Sequence, residues 1–301
     1  MASMSTFKLP SAAGHVTALI VVALWGTTFV SSKVLLSNGL MPADIFFYRF
    51  ALAYLCMCLV SHKRLFSNSI ADELTLMGLG VMGGSLYFLT ENMALLYSTA
   101  SNVSILVSTT PLLTAFVLAI FYRSERLNGR QVACSFLAFA GVVLVVFNGR
   151  FVLHLNPLGD ALALGAALTW AFYSLLIKRL MGRYPSDFIT RKVFIYGILS
   201  ILPYYMFVSP LNVDGTLLLR PLVVSNLLFL ALAASMGGYL LWNWTMARLG
   251  AVKATNYIYA QTLFTMAVAA IVLGERITAM ALAGTLVLIA GMWGMARGAN
   301  R

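Results

Sequence analysis

The stretch LTENMALL, residues 89–96, sets a carboxylate, Glu91, beside an amide, Asn92, inside an apolar run with no Lys or Arg adjacent. A buried charge is costly unless something uses it. Tyr87 stands one helical turn earlier, on the same face. Other reactive or hydrogen-bonding groups recur in apolar surroundings: Trp25 with Thr28, Trp170 with Tyr173, and Asn243 between Trp242 and Trp244. Ser101, Ser104 and Ser108 form a stripe at three- and four-residue steps, and Tyr257, Gln261 and Thr265 form another. Indoles, phenols, amides and hydroxyls together suit a flat, partly apolar ligand that takes stacking and a few hydrogen bonds. The candidate ligand-binding residues are therefore Trp25, Thr28, Tyr87, Glu91, Ser104, Ser108, Trp170, Tyr173, Trp242, Asn243, Tyr257 and Gln261. Each has a plainer alternative, since aromatics fill space between helices and hydroxyl stripes hold helices together. For Glu91 two roles stay open. It is either a helix-to-helix hydrogen-bonding group, with Asn92 or Asn102 as partner, or a cavity carboxylate that meets an amino group or carries a proton.

Catalytic patterns are missing. There is no G-x-x-x-x-G-K-[ST], hence no built-in ATPase. GLGVMG (78–83) matches G-x-G-x-x-G but lies within an apolar run of spanning length, where Gly80 and Gly84 read better as a close helix approach. His15, His62 and His154 fall near span ends, and Cys56, Cys58 and Cys134 lack metal-ligand spacing. The expectation is no enzyme, no metal and no cofactor. The sequon Asn102-Val103-Ser104 falls within a helix and carries no weight.

The elements that position these groups follow from composition. Of 301 residues 61% are hydrophobic and 10% charged, with mean hydropathy +0.90. A soluble domain carries about a quarter charged residues, so this is an integral membrane chain. Met1–His15 reads as a short polar segment, not a cleavable signal peptide. At about 20 apolar residues per crossing, ten spans are expected: 16–37, 43–60, 75–97, 100–121, 130–147, 157–180, 188–209, 222–247, 252–273 and 279–296. Trp293 sits at a span end, the usual place for Trp, whereas Trp25 and Trp170 are central. The net charge of +11 is scattered through short loops, so it speaks for topology and against nucleic acid. With the N-terminus inside, 15 of the 20 Lys and Arg residues face the cytoplasm and four face outward; Arg49 lies within a span. Both termini are expected to be cytoplasmic.

The halves repeat each other. Trp25 and Lys33 align with Trp170 and Lys178 at one offset; PADIFFYR (42–49) aligns with PSDFITRK (185–192); MGG at 82–84 recurs at 236–238. ERL (125–127) recurs as ERI (275–277), each with a Gly sixteen residues after its Glu, Gly141 and Gly291. Five spans per copy force the second copy to enter the membrane in the opposite sense, a signature of secondary transporters. The expected fold is all-α, with ten transmembrane helices as two inverted five-helix repeats around a central cavity. Residues 16–150 make the first repeat and 157–296 the second, flanked by a cytoplasmic N-terminal segment, 1–15, and C-terminus, 297–301. Pro111 should free the carbonyl of Val107 and bend the fourth span. That bend is either static or a flexing point, and Gly83, Gly84, Gly237 and Gly238 are candidates for the same gating role. Arg49, which could pair with Asp44 or with a cavity carboxylate, reads as structural, as do Asp44, Asp187 and the two Glu-Arg pairs.

The paired Trp residues, the 5+5 halves and the Glu-Arg pair before a Gly-containing last helix resemble the drug/metabolite transporter superfamily. More narrowly they resemble its EamA-like group and, within it, YddG-type exporters of aromatic amino acids. The resemblance covers residues 16–296. It implies a basket of helices one to four and six to nine around the cavity, with the fifth and tenth helices outside. It also implies a secondary transporter that exports amino acids, aromatic ones favoured, by alternating access across the cytoplasmic (inner) membrane. Its partners would be a small-molecule substrate and the lipid bilayer, and a monomer is the expected state. Alternatives are an exporter of other metabolites or drugs (purines, nucleosides, cationic compounds) and, in another class, a passive channel. Phosphorylated substrates are disfavoured, because the only cations on offer are Arg49 and, near span ends, Lys33 or Lys178.

Overall fold

The computed structural model describes residues 11–61, 64–122, 127–147, 156–272 and 279–298. Outside them lie both Glu-Arg pairs (Glu125-Arg126 and Glu275-Arg276), His62, His154, and the charges Lys8, Lys63, Arg123, Arg150 and Arg301.

Among the described residues the chain is helical, without a strand. The first half runs α1 (Ser11–Ser37), α2 (Pro42–Val60), α3 (Ile70–Gly80), a π-helical stretch (Val81–Ser85), α4 (Leu86–Tyr97), α5 (Ala100–Val107), α6 (Thr110–Phe121) and α7 (Gly129–Phe147). The second runs α8 (Pro157–Leu180), α9 (Ser186–Phe207), a short α10 (Gly215–Leu218) and α11 (Pro221–Leu228). A second π-helical stretch (Phe229–Gly237), α12 (Gly238–Leu249), α13 (Ala251–Thr255), α14 (Ile258–Val272) and α15 (Ala279–Gly298) follow. Ends are written in the sequence. Ser69, Thr99 and Asn156 cap α3, α5 and α8 through their side-chain oxygens. Proline opens α2, α6, α8 and α11, where its missing N–H is harmless. Gly250, with φ +83°, ends α12.

These helices group into the ten expected spans, and five are long and apolar enough alone to cross a bilayer: 12–37, 42–60, 100–121, 157–180 and 221–249. Large apolar side chains such as Leu59, Phe116, Phe207 and Ile271 face outward, as lipid contact requires. Four spans are irregular. The third and eighth carry the π stretches, both at the repeated MGG; the fourth breaks at Ser108–Thr109 and the ninth at Asn256–Tyr257.

Packing follows a ring. The ninth span lies on the first, then come the eighth, second, seventh, third, sixth and fourth, and the fourth returns to the ninth. Exchanging the two halves maps every contact of this ring onto another contact of it. The fifth and tenth spans, α7 and α15, stand outside and pack chiefly on each other. Their crossing is built by the repeated glycines. A Cβ on Gly141 would come within 2.3 Å of the Leu288 backbone nitrogen, and one on Gly291 within 2.4 Å of that of Ala138.

A polar latch joins the halves at the end of the ring where α3 and α9 begin. Arg183 Nη1 lies 2.8 Å from Asp72 Oδ1, and the Tyr184 hydroxyl donates to Asp72 Oδ2 at 2.7 Å. Lys192 and the Tyr196 hydroxyl both reach Glu73, while Arg191 donates to the carbonyls of Ser61 and Arg64. Burial pushes the Glu73 carboxyl up, but Lys192, Ser67 and Tyr196 outweigh it and hold the group at about 2. The Tyr184 hydroxyl, with Ser69 and Arg183, holds Asp72 below its ordinary value.

Two outcomes follow. Gly141→Ala overpacks the α7–α15 crossing and should lower stability by about 1–3 kcal/mol, whereas Gly165→Ala, with nothing within 4 Å, should be neutral or slightly stabilising. Apparent unfolding temperature in detergent reads both. Glu73 is depressed in the folded state, so its contribution is present above its ordinary value of 4.5 and fades as pH falls toward 2. Glu73→Gln should flatten the acid limb of stability between pH 4.5 and 2 and leave the slope above pH 5 unchanged.

Candidate functional site

Inside the ring lies a partly open cavity, about 390 Å³ of space between atoms when the space open to solvent is counted. Twelve residues line it: Trp25, Thr28, Arg49, Tyr87, Phe88, Glu91, Val107, Thr110, Trp170, Tyr239, Ile258 and Gln261. Seven of the eight ring spans contribute, drawn from both halves. Six of the twelve sequence candidates are among these residues: Trp25, Thr28, Tyr87, Glu91, Trp170 and Gln261.

The aromatic rings are mutually packed. The Trp25 ring centroid lies 5.1 Å from that of Trp170, edge to face, and 4.9 Å from that of Trp242. Tyr87 lies 5.1 Å from Trp170, and Tyr173 stacks on Trp170 at 4.9 Å. A ligand ring therefore enters against Trp25 and Trp170 from the cavity side, not between open plates. Glycine permits this density. A Cβ on Gly238 would approach Trp25 Nε1 to 2.6 Å, and one on Gly83 would approach Tyr173 Cδ2 to 2.2 Å. Gly84 faces Phe50 at 3.1 Å. Three of the four glycine hinge candidates, Gly83, Gly84 and Gly238, thus lie against aromatic rings. Gly237 has only the Leu232 carbonyl, at 3.4 Å.

Irregular backbone surrounds the cavity, and in three of the four irregular spans a side chain of the lining donates to a carbonyl at the irregularity. Trp25 Nε1 donates to the Ala234 carbonyl at 2.9 Å, inside the second π stretch. The Tyr239 hydroxyl donates to the Gly83 carbonyl, inside the first. Pro111 falls in the first turn of α6, so the fourth span is interrupted rather than bent, and the Thr110 hydroxyl donates to the freed Val107 carbonyl at 2.5 Å.

Glu91 is buried; the Tyr87 hydroxyl approaches it at 3.4 Å. Neither expected amide partner serves it. Asn92 donates to the Pro42 carbonyl, and Asn102 donates to Ser98 and Asp160.

The remaining candidates stand outside the lining. Tyr173 donates to Asn243 Oδ1 at 2.7 Å, and Asn243 donates to Thr190, so the two tie the sixth, seventh and eighth spans together. Trp242 is fully buried behind Trp25. Ser108 donates to the Ser104 carbonyl and pairs with Thr262 at 2.6 Å, so the serine stripe joins the fourth span to the ninth. Tyr257 meets His15 at the beginning of α1. Arg49, read from sequence as structural, lies in the cavity wall, with Phe88, Val107, Thr110, Tyr239 and Ile258. A cation inside a span was the signal that pointed to it.

Outside the lining, the C-terminal ends of α1 and α4 are clasped together. Lys33 donates to the Leu95 carbonyl at 2.5 Å and to the Ser98 carbonyl at 3.0 Å, where α4 ends. Its repeat counterpart Lys178 lies over the Tyr122 ring instead, at 4.2 Å. Accordingly α1 packs against α4, and α8 does not pack comparably against α12.

The EamA-like transporter family matches residues 12–147 and again 157–297, nearly the whole chain in two copies. This chain belongs to that family. The EamA-like chain is 30% identical over 286 residues to an uncharacterized transporter of Archaeoglobus fulgidus, covering 93% of this chain and 96% of that one. It is 27% identical to a probable amino-acid metabolite efflux pump of Escherichia coli K12, over 92% and 93% of the two chains. A crystal structure matches with a TM-score of 0.71 at 16% identity, covering 96% of this chain and 98% of that one, which shows the shared fold. The EamA-like protein described here is a multi-pass membrane transporter.

Thr110→Val keeps the shape of the side chain and strands the Val107 carbonyl inside the membrane. It should cost about 1–3 kcal/mol, whereas Thr110→Ser should retain most stability. Unfolding followed by intrinsic Trp fluorescence in detergent checks both.

Proposed function

We propose that this protein is a secondary transporter that exports amino acids, aromatic ones foremost, across the cytoplasmic membrane by alternating access, with both termini in the cytoplasm. The observation that carries the reading is the cavity wall: Trp25, Tyr87, Phe88, Trp170 and Tyr239 around a single carboxylate, Glu91. Such a wall takes a ring by stacking and edge contacts and an ammonium group by its charge. The name of the E. coli relative, a probable amino-acid metabolite efflux pump, speaks for the same class. Gln261, Thr28 and Thr110 supply further hydrogen bonds from the lining.

The repeat supports the transport cycle. An odd number of spans per copy inverts the second half, and the ring contacts exchange when the halves are exchanged. With the basic loops inside, the Lys33 clasp stands on the external side, and in this reading it serves as the outer gate. In the opposite conformation Lys178 takes the corresponding place at the end of α12, and the external clasp opens.

Liposomes containing the purified protein, offered labelled amino acids, nucleosides and cationic dyes, test this. Saturable, counterflow-competent transport of aromatic amino acids is expected, and Trp170→Ala should reduce it at least about tenfold by removing one wall of the ring site. Saturable transport of nucleosides or dyes alone would move the substrate to another class. Non-saturable flux would indicate a channel, and no flux of any compound would remove the transporter reading of this cavity.

A further inference from the structure

Arg49 is a cation within the second span, 1% exposed, and it lines the cavity. Its guanidinium has five N–H donors. Nε donates to Ser235 Oγ at 2.8 Å, the guanidinium carbon lies 4.1 Å above the Phe88 ring, and Nη1 is buried with no hydrogen-bond partner. Among the described residues no carboxylate lies within 4 Å of it. Asp44, one of its expected partners, instead accepts from the Asn212 backbone.

The repeat makes this exceptional. PADIFFYR aligned with PSDFITRK sets Arg49 against Lys192. Lys192 has its own carboxylate, Glu73. The protein thus neutralises one base of the pair and leaves the other facing a cavity. Glu91 lines that same cavity and likewise lacks an ion-pair partner among the described residues. Ser235 and Phe88 hold the guanidinium in place, so it does not collapse onto Glu91. A planar guanidinium whose Nη1 has no partner matches a carboxylate, the group that guanidinium forks bind most strongly.

We propose that Arg49 binds the substrate carboxylate while Glu91 takes the ammonium group, so that the transported species is the zwitterion of an α-amino acid. This rests on the transporter reading above and goes further, because it demands both charged ends at once. A decarboxylated amine leaves Arg49 unpaired in the cavity, and a deaminated acid leaves Glu91 unpaired. Sites built around buried polar groups reject analogues that leave those groups unmatched.

The test uses two matched sets of probes in proteoliposomes: tryptophan, tryptamine and indole-3-propionate; leucine, isoamylamine and 4-methylpentanoate. Wild type should transport the amino acid of at least one set about tenfold or more faster than either truncated analogue. Arg49→Gln should level amino acid and amine, Glu91→Gln should level amino acid and acid, and Arg49→Lys should retain part of the preference. Equal transport of amine and amino acid by the wild type overturns the proposal and leaves the transporter reading standing. So does an Arg49→Gln variant that keeps full discrimination. No saturable transport of any probe overturns both. If Arg49→Gln fails to fold, the wild-type comparison decides alone.

Discussion

A backbone carbonyl released from its helix inside a bilayer has no water to turn to, so the protein must supply the donor. Three carbonyls in irregular backbone border the cavity, that of Val107 freed by Pro111, and three lining residues donate to them. Trp25 reaches Ala234, Tyr239 reaches Gly83, and Thr110 reaches Val107. The positions of the indole, the phenol and the hydroxyl in the cavity wall therefore depend on where the helices depart from α geometry. Two of these bonds also cross between the halves, joining the first span to the eighth and the eighth to the third. Irregular backbone at this depth is tolerated only where protein or a cavity surrounds it, and here the cavity wall and its supports are the same residues.

The second theme is a repeat whose scaffold is symmetric and whose chemistry is not. Ring contacts, paired Trp residues and MGG segments recur in both halves. The charges diverge. Lys192 is paired with Glu73, whereas Arg49, at the aligned position, lies against Phe88 and Ser235. Glu91 has no acidic counterpart in the aligned stretch around Trp244 and Thr245. A symmetric frame can thus carry one asymmetric ligand site.

Much of this was legible in the sequence, because bilayer thickness and hydrophobicity constrain spans strongly and repeated motifs constrain topology. The ten segments and the central placing of Trp25, Trp170, Tyr87, Glu91 and Gln261 follow from those two sources. What was not legible depends on rotation about a helix axis. Two π stretches alter that rotation, and no residue type announces them. Hydroxyl and amide stripes were ambiguous for a related reason: Ser108 pairs with Thr262 and Tyr173 with Asn243 between helices, an arrangement that looks in sequence like a cavity lining. Tyr257 lies beside the break at Asn256–Tyr257 and ends up near His15. Arg49 is visible in the sequence as a cation one or two turns into a span, but pairing with Asp44 and pairing with a cavity carboxylate are both open to it there. Instead it is held inward by Phe88 and Ser235.

The π stretch at Val81–Ser85 has a hereditary consequence. A π turn holds one residue more than an α turn needs, and each residue of an α-helix advances the face by about 100°. Loss of a single codon there would let the span rewind as continuous α-helix, still long enough to cross the bilayer. Tyr87, Phe88 and Glu91 would then swing by roughly that angle relative to α3, away from their present cavity, while every one of them remained encoded. In such a fold a one-residue insertion or deletion can exchange one set of cavity-facing side chains for another, a larger change in ligand chemistry than any one substitution makes.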